Sequence, residues 1–273
     1  MKKRIFAILV LVAFTAGCAK TARIGRPPIS EMASQEIAEP KPSFIVGEKF
    51  TYLIAWKGIP VGTATATIEE LTTFKEYEVY KIVVIAETND FLSKLYRVED
   101  RFTSYMDKDK LVSRHYEAIQ REGKYRKHLV VDYDFQKYIA TYKNLKDGSV
   151  KTCRIEKNVQ DPVSAAYFFR TVPLRVGDKI KIIVNLNEKN YDIFGAIDKR
   201  ASITLSEMGT FDAFLIKPYV KLKGKRLRRA NVWGYLSADK KRLGLFWVLK
   251  VLEIPWIGEV TATLKKVEYI SSS

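Results

Sequence analysis

Lys49-Phe-Thr-Tyr-Leu-Ile-Ala-Trp56 and Thr63-Ala-Thr-Ala-Thr-Ile-Glu69 flank the short string Lys57-Gly-Ile-Pro-Val-Gly62, and this stretch decides the fold class. Thr63, Thr65 and Thr67 alternate with Ala64, Ala66 and Ile68, the period of two that puts successive side chains on opposite faces of a strand. Gly58 and Pro60 lie where a chain reverses, so the segment reads as a β-hairpin with small residues on one face.

The same pattern runs outward in both directions. Tyr77 to Glu87, Arg97 to Met106 and Leu111 to Arg121 read as further strands, and Glu122-Gly123, Lys146-Asp147-Gly148 and Ala238-Asp239-Lys240 mark later turns. Helical signals are few. Asp161-Pro162 supplies a cap and a first-turn proline ahead of Val163 to Arg170, and Pro173 stops the run. Asn89-Asp90 ahead of Phe91 to Tyr96 is a weaker copy. The expectation is an all-β, mainly antiparallel domain over residues 44 to 273, barrel-like or a sandwich, with one or two short helices. Two strings recur at one interval along the chain. Val46-Gly-Glu-Lys49 is echoed by Val176-Gly-Asp-Lys179, and Tyr105 to Lys110 by Tyr235 to Lys240, which suggests two related halves.

Residues ahead of this domain carry different information. Met1-Lys-Lys-Arg4, the apolar run Ile5 to Phe14 and Thr15-Ala-Gly17 before Cys18 read as a lipoprotein export signal over residues 1 to 17, with Cys18 the acceptor of a diacylglyceryl group. The run is about half of what a bilayer-spanning helix needs. Ala19 replaces the Asp that retains lipoproteins in the inner membrane of well-studied Gram-negative bacteria, so the outer membrane is expected. Residues 18 to 43 hold the lipidated cysteine and a tether with Pro27, Pro28, Pro40 and Pro42, whose root-mean-square reach is roughly 25 to 30 Å.

Charge points to the partner. The 273-residue chain carries a formal +16, and loss of Lys2, Lys3 and Arg4 with the signal leaves it strongly basic. In an envelope the matching anions are lipid headgroups or acidic glycans, and nucleic acid is not expected. Once Cys18 is acylated only Cys153 remains, which excludes an internal disulfide. Cys153 lies in an alternating stretch and reads as a buried, inert thiol.

The string Phe44-x-Val-Gly-Glu48, Tyr52, Trp56 and Gly58-Ile-Pro-Val-Gly62 resembles the opening of the bacterial DUF3108 family. The likeness continues through Asp161-Pro-Val-Ser-Ala-Ala-Tyr-Phe-Phe-Arg170, Val176-Gly-Asp178, Val232-Trp-Gly-Tyr-Leu-Ser-Ala-Asp239 and Gly258-Glu-Val-Thr-Ala-Thr-Leu264. The resemblance implies an exported, mostly antiparallel β fold with no assigned activity.

Catalytic machinery is hard to find. No nucleophile elbow, Ser-x-x-Lys set or phosphate-cradling glycine loop stands in a suitable setting. The two histidines are His115 and His128. With Glu122-Gly123 at the centre of a hairpin, Glu117 would face His128 and His115 would face Val130, so that His115, Glu117 and His128 share a face with Ser113, Arg121 and Asp132. That is the composition of a metal site but on the wet side of the sheet, where a solvated pair is expected; no metal and no cofactor is assigned.

The strongest charge feature is Lys221, Lys223, Lys225, Arg226, Arg228 and Arg229, inside a stretch from Ala213 to Ala238 without one acid. Guanidinium groups offer two-pronged contacts to phosphate and carboxylate, and Trp233 and Tyr235 nearby form a possible aromatic platform. Lysines guarding an edge strand are the plain alternative. The functional expectation is a non-catalytic binding or assembly module for anionic envelope components, on a lipid-anchored protein facing the periplasm. Two alternatives stay open, an envelope hydrolase with an unrecognised site and a lipid carrier built like the lipoprotein-localisation proteins. A flat basic patch favours the first reading, clustered acids in a cleft the hydrolase, and a deep apolar concavity the carrier.

Overall fold

The computed structural model describes residues 44–253 and 258–270. The export signal, Cys18 and the tether lie outside the described residues. The strands are β1 (Glu48–Trp56), β2 (Ile59–Phe74), β3 (Tyr77–Thr88), β4 (Glu99–Asp107), β5 (Ser113–Glu122), β6 (Tyr125–Asp134), β7 (Ile139–Asn144) and β8 (Val150–Arg154). After them come β9 (Lys179–Leu186), β10 (Lys189–Leu205), β11 (Gly209–Leu222), β12 (Lys225–Arg226), β13 (Ala230–Ser237), β14 (Gly244–Val251) and β15 (Glu259–Tyr269). Two short helices, α1 (Asp90–Ser93) and α2 (Pro162–Thr171), complete the elements of the described residues.

All strand pairs are antiparallel and form one sheet in the order β8-β7-β6-β5-β4-β3-β2-β1-β15-β14-β13-β11-β10-β9, with β12 hung on β11. The sheet curls. Ile54 of β1 and Val61 of β2 share a core with Ile182 and Val184 of β9, at the far edge of the strand order, which a flat sheet would not allow. The barrel stays open at the seam between β8 and β9, where no strand ladder forms. Side chains bridge it instead. Asn190 Nδ2 donates to the Arg154 carbonyl at 2.9 Å, and the Tyr142 hydroxyl donates to Asn185 Oδ1 at 2.5 Å. Gln160, just before α2, exchanges backbone hydrogen bonds with Ile183 and Asn185, which brings the helix inside the curl.

Helix α2 begins where the cap signals place it. The Asp161 carboxylate accepts the Val163 and Ser164 backbone N–H groups at 2.7 and 2.9 Å, while Ser164 Oγ accepts the Asp161 N–H at 2.9 Å. Pro162 fills a first-turn position that has no N–H to satisfy. Val163, Ala165, Tyr167, Phe169 and Arg170 are all buried, so this helix is held by packing on nearly every side.

The two halves are visible in the strands. β1 to β6 form one six-stranded meander; β9, β10, β11, β13, β14 and β15 form another. Gly47 and Gly177 both have positive φ, and their N–H groups donate to Ile68 and Ile197 respectively. A Cβ on Gly47 would sit 1.9 Å from the Ile270 carbonyl oxygen, so that position takes no side chain. Bulges fall in matching places too, at Ile68/Glu70 and Ile197/Lys199, and at Tyr105/Met106 and Tyr235/Leu236.

One register differs from the sequence expectation. The β5–β6 turn is centred on Gly123-Lys124, so Glu122 pairs with Tyr125, Glu117 with Val130 and His115 with Asp132. Gly123 takes φ 51° as the first central residue, the place where a two-residue hairpin of the II′ kind needs glycine. A slip of two keeps every side chain on its face. Ser113 departs for another reason, since the bulge at Tyr105/Met106 turns it into the barrel, where it is fully buried.

Candidate functional site: an apolar cavity inside the barrel

The inward face of β1 and β2 carries Tyr52, Ala64 and Ala66, and β15 adds Ala262. Small side chains opposite α2 leave space. A cavity of about 180 Å³ runs between these residues, Val163 and Phe169 of the helix, and Trp247 of β14. Protein cores seldom hold voids much larger than a water molecule. Glycine shapes one wall. A Cβ on Gly234 would lie 2.2 Å from the Trp247 ring, so only glycine lets the indole lie against β13.

The polar end of the cavity is fixed by charge. Arg170 projects from α2, and its Nη1 and Nη2 donate to Glu48 Oε1 and Oε2 at 2.6 and 3.0 Å. Nη2 also donates to the Lys241 carbonyl at 3.0 Å. Burial works against the guanidinium charge, but the bonds and field of Glu48 outweigh it and hold its pKa above the ordinary value. Phe50 and Tyr167 pack their rings on the same guanidinium at 4.9 and 5.2 Å. Tyr52, buried close by, has its hydroxyl pKa pushed far up by desolvation, with Arg170 partly opposing.

A second, wider space of about 810 Å³ opens between β5 to β8 and the β9–β10 turn. Gln120, Glu122, Tyr125 and Lys127 line it with Asn187 and Glu188, giving it a polar wall. Phe102 of β4 lines both spaces and stands as the partition between them. Asp100 and Glu122 are buried together beside this vestibule. Desolvation raises the Asp100 pKa, while the Arg121 N–H and the side chains of Gln120 and Glu122 hydrogen-bond to it and oppose the rise. A carboxyl pair so deeply enclosed does not offer the open acid and base that hydrolysis of a bulky polymer needs.

The remaining sequence candidates are placed as follows. Lys223 and Gly224, both with positive φ, form a turn between β11 and β12, so Lys221 lies directly opposite Arg226. Lys223, Lys225, Arg226, Arg228 and Arg229 are exposed and Lys221 is half-buried. Glu253 lies 3.4 Å from Arg229, an acid the local sequence does not contain. The aromatic platform beside these charges is Phe194 and Tyr219, stacked at 4.8 Å, under Lys221 at 5.0 Å and Arg226 at 4.3 Å. They sit directly opposite each other on β10 and β11, a register that the sequence alone does not reveal. Trp233 and Tyr235 instead lie half-buried along β13, on the face opposite Val232 and Leu236 of the core.

The histidines separate. His115 Nδ1 lies 2.9 Å from Asp132 Oδ1, and His128 Nε2 lies 2.6 Å from Glu117 Oε1. The hydrogen bond from His115 holds the Asp132 carboxyl below its ordinary pKa. Among the described residues no group of three His, Cys, Asp or Glu side chains is placed to hold a metal ion. Cys153, half-buried on β8, has its thiol pKa raised by burial and accepts a hydrogen bond from Asn185.

Comparison with solved structures finds the same fold in the β-barrel-like protein of domain of unknown function DUF1849 from Brucella abortus. The likeness has a TM-score of 0.54 at 8% identity, over 83% of this chain and 99% of that one. A Parabacteroides distasonis protein, provisionally described as a lipoprotein, aligns over 86% of this chain and 100% of its own, at 11% identity with a TM-score of 0.32. No curated protein matches the chain. The DUF3108 family model, described as a protein of unknown function, matches residues 51–265, and the chain therefore belongs to that family.

Proposed function

We propose that this is a lipid-anchored envelope protein whose barrel holds the acyl chain of an amphiphile. The observation that carries the reading is the cavity, an apolar space of about 180 Å³ kept open by Ala64, Ala66 and Ala262 where larger residues would close it. Of the three features that separate the readings, a deep apolar concavity is the one that favours a carrier over a polymer binder or a hydrolase. The protein acts without catalysis. Its anchor is Cys18, and its station is the outer membrane facing the periplasm.

The test is displacement of a fluorescent fatty acid by unlabelled chains of increasing length. Ala64→Leu and Ala262→Leu, made separately, should each weaken binding by about tenfold or more without lowering the melting temperature, because the added carbons occupy the space of the ligand. Absence of saturable binding, or binding that both folded variants retain, would overturn the reading.

Exposure of Lys223, Arg226 and Arg228 supports a second reading, in which this loop holds an anionic headgroup or an acidic glycan. Changing the three together to Ser should weaken binding to such ligands and leave folding intact, since exposed charges add little to stability. Salt should weaken it as well, because surface charges are screened beyond about 8 Å at physiological ionic strength.

A further inference from the structure

The loops at one end of the barrel are stitched to one another in sheet order. Leu252, after β14, donates its N–H to Arg229 just before β13 at 2.9 Å, and Lys57 in the β1–β2 turn donates to Glu259 at the start of β15, also at 2.9 Å. Asn89, which caps α1, reaches back to β2 through Val61 and Pro60, each at 2.9 Å. Gly123 in the β5–β6 turn donates to Arg97 at 2.8 Å. These contacts make one continuous rim from β13 round to β6.

That rim exposes large apolar side chains. Phe91 and Leu95, in and just after α1, are 73% and 78% exposed, and Ile59 beside them is 60% exposed. Leu92 turns the other way, into the core. Single exposed apolar residues are ordinary, but three tips together on one connected edge are not. Lys57, Lys94, Arg97, Lys124, Arg228 and Arg229 stand exposed on the same rim. Glu99 offsets Arg97 and Glu253 offsets Arg229, while Glu87, Asp90 and Glu259 are further exposed acids at this end.

We propose that this rim docks onto an anionic lipid bilayer, with Phe91, Leu95 and Ile59 entering the headgroup region and the surrounding lysines and arginines meeting lipid phosphates. Charge complementarity selects an anionic surface, and the apolar tips select a bilayer over a polymer that has no apolar interior to receive them. The vestibule opens at the same end, between the β5–β6, β7–β8 and β9–β10 turns, so docking sets its polar mouth against the headgroups. The chain enters at the opposite end, where Gly47 meets Ile270. The docking proposal stands without the acyl-chain reading and gives it a route for loading.

The experiment uses the chain from residue 19 onward, which keeps every described residue, in flotation with vesicles of phosphatidylcholine alone or mixed with phosphatidylglycerol. Binding is expected only to the mixed vesicles. The Phe91→Ser/Leu95→Ser variant should lose about tenfold or more in affinity with an unchanged melting curve, and Lys94→Glu/Lys124→Glu should lose a comparable amount at low salt. Three results would overturn docking: a folded wild type that ignores the mixed vesicles, a tip variant that binds them as well as wild type does, or capture of dextran sulfate without vesicle binding. Fatty-acid binding at equilibrium is scored separately. It should be unchanged in the rim variants, so failure of docking and failure of the cavity reading give different patterns.

Discussion

Arg170 and Glu48 form a two-pronged ion pair between α2 and the first residue of β1, with only 8% and 2% of their side chains exposed. Removing one partner leaves the other charge buried, which typically costs about 3 to 5 kcal/mol. Arg170→Met and Glu48→Leu should each cost that much in urea denaturation. The double variant Arg170→Met/Glu48→Leu should be less damaging than the sum of the single changes, because it strands no charge. Additive losses in the double-mutant cycle would mean the two groups act independently.

Asp161 serves two structures at once. One carboxylate oxygen caps α2, and the other accepts the hydroxyls of Ser104 and Ser113 at 2.5 and 2.6 Å, tying the helix to β4 and β5. Asp161→Ala loses the cap and strands two buried hydroxyls, for a combined cost of about 2 to 4 kcal/mol. Ser104→Ala alone should cost less, since its partner keeps three donors. Chemical denaturation ranks the two directly.

Burial raises the Asp161 pKa, against the opposing pull of its hydrogen bonds. A carboxyl raised in the folded state contributes stability that is full below its unfolded pKa, about 3.9, and is lost as pH rises through the folded value. Asp161→Asn cannot titrate. Its deficit relative to wild type should therefore be larger at pH 4 than at pH 7, measured by urea midpoints at both. An unchanged difference across that interval would place the proton elsewhere.

Cys18→Ser should abolish labelling by a fatty-acid probe in cells and stop maturation at residue 18, because a serine hydroxyl does not replace the thiol in forming the thioether. Labelling that persists in this variant would end the lipoprotein assignment.

Much of this fold is legible in the sequence. Asp161-Pro162 placed α2 and Asn89 placed α1, because capping chemistry is local. The alternation of Thr63 to Ile68 gave β2 its faces, and the paired glycines at 47 and 177 announced the two halves. Register was less secure, since Glu122-Gly123 and Gly123-Lys124 both make plausible turns, and they differ in that the first asks a positive φ of Glu122 as well while the second asks it of the glycine alone. Ser113 was misjudged because a bulge, which alternation does not encode, turned it inward. The cavity left a trace in Ala64 and Ala66, the small residues on one face, but its depth depends on Trp247 and α2 arriving from far along the chain. Burial of Arg170 against Glu48 is long-range in the same way.

The adjacency of β1 and β15 has a consequence for assembly. Glu48 pairs with Tyr269, and the partners of the intervening register are likewise drawn from opposite ends of the domain. The first meander can zip from local turns as soon as its strands are available, yet its β1 edge waits with open hydrogen-bonding groups until nearly the last residue is delivered. Such non-local closure is slow and leaves an edge exposed to other chains. A truncation that removes β15 would thus do more than shorten the molecule. It would leave the two halves without the joint that makes them one sheet and present a sticky strand to the crowded compartment in which folding ends.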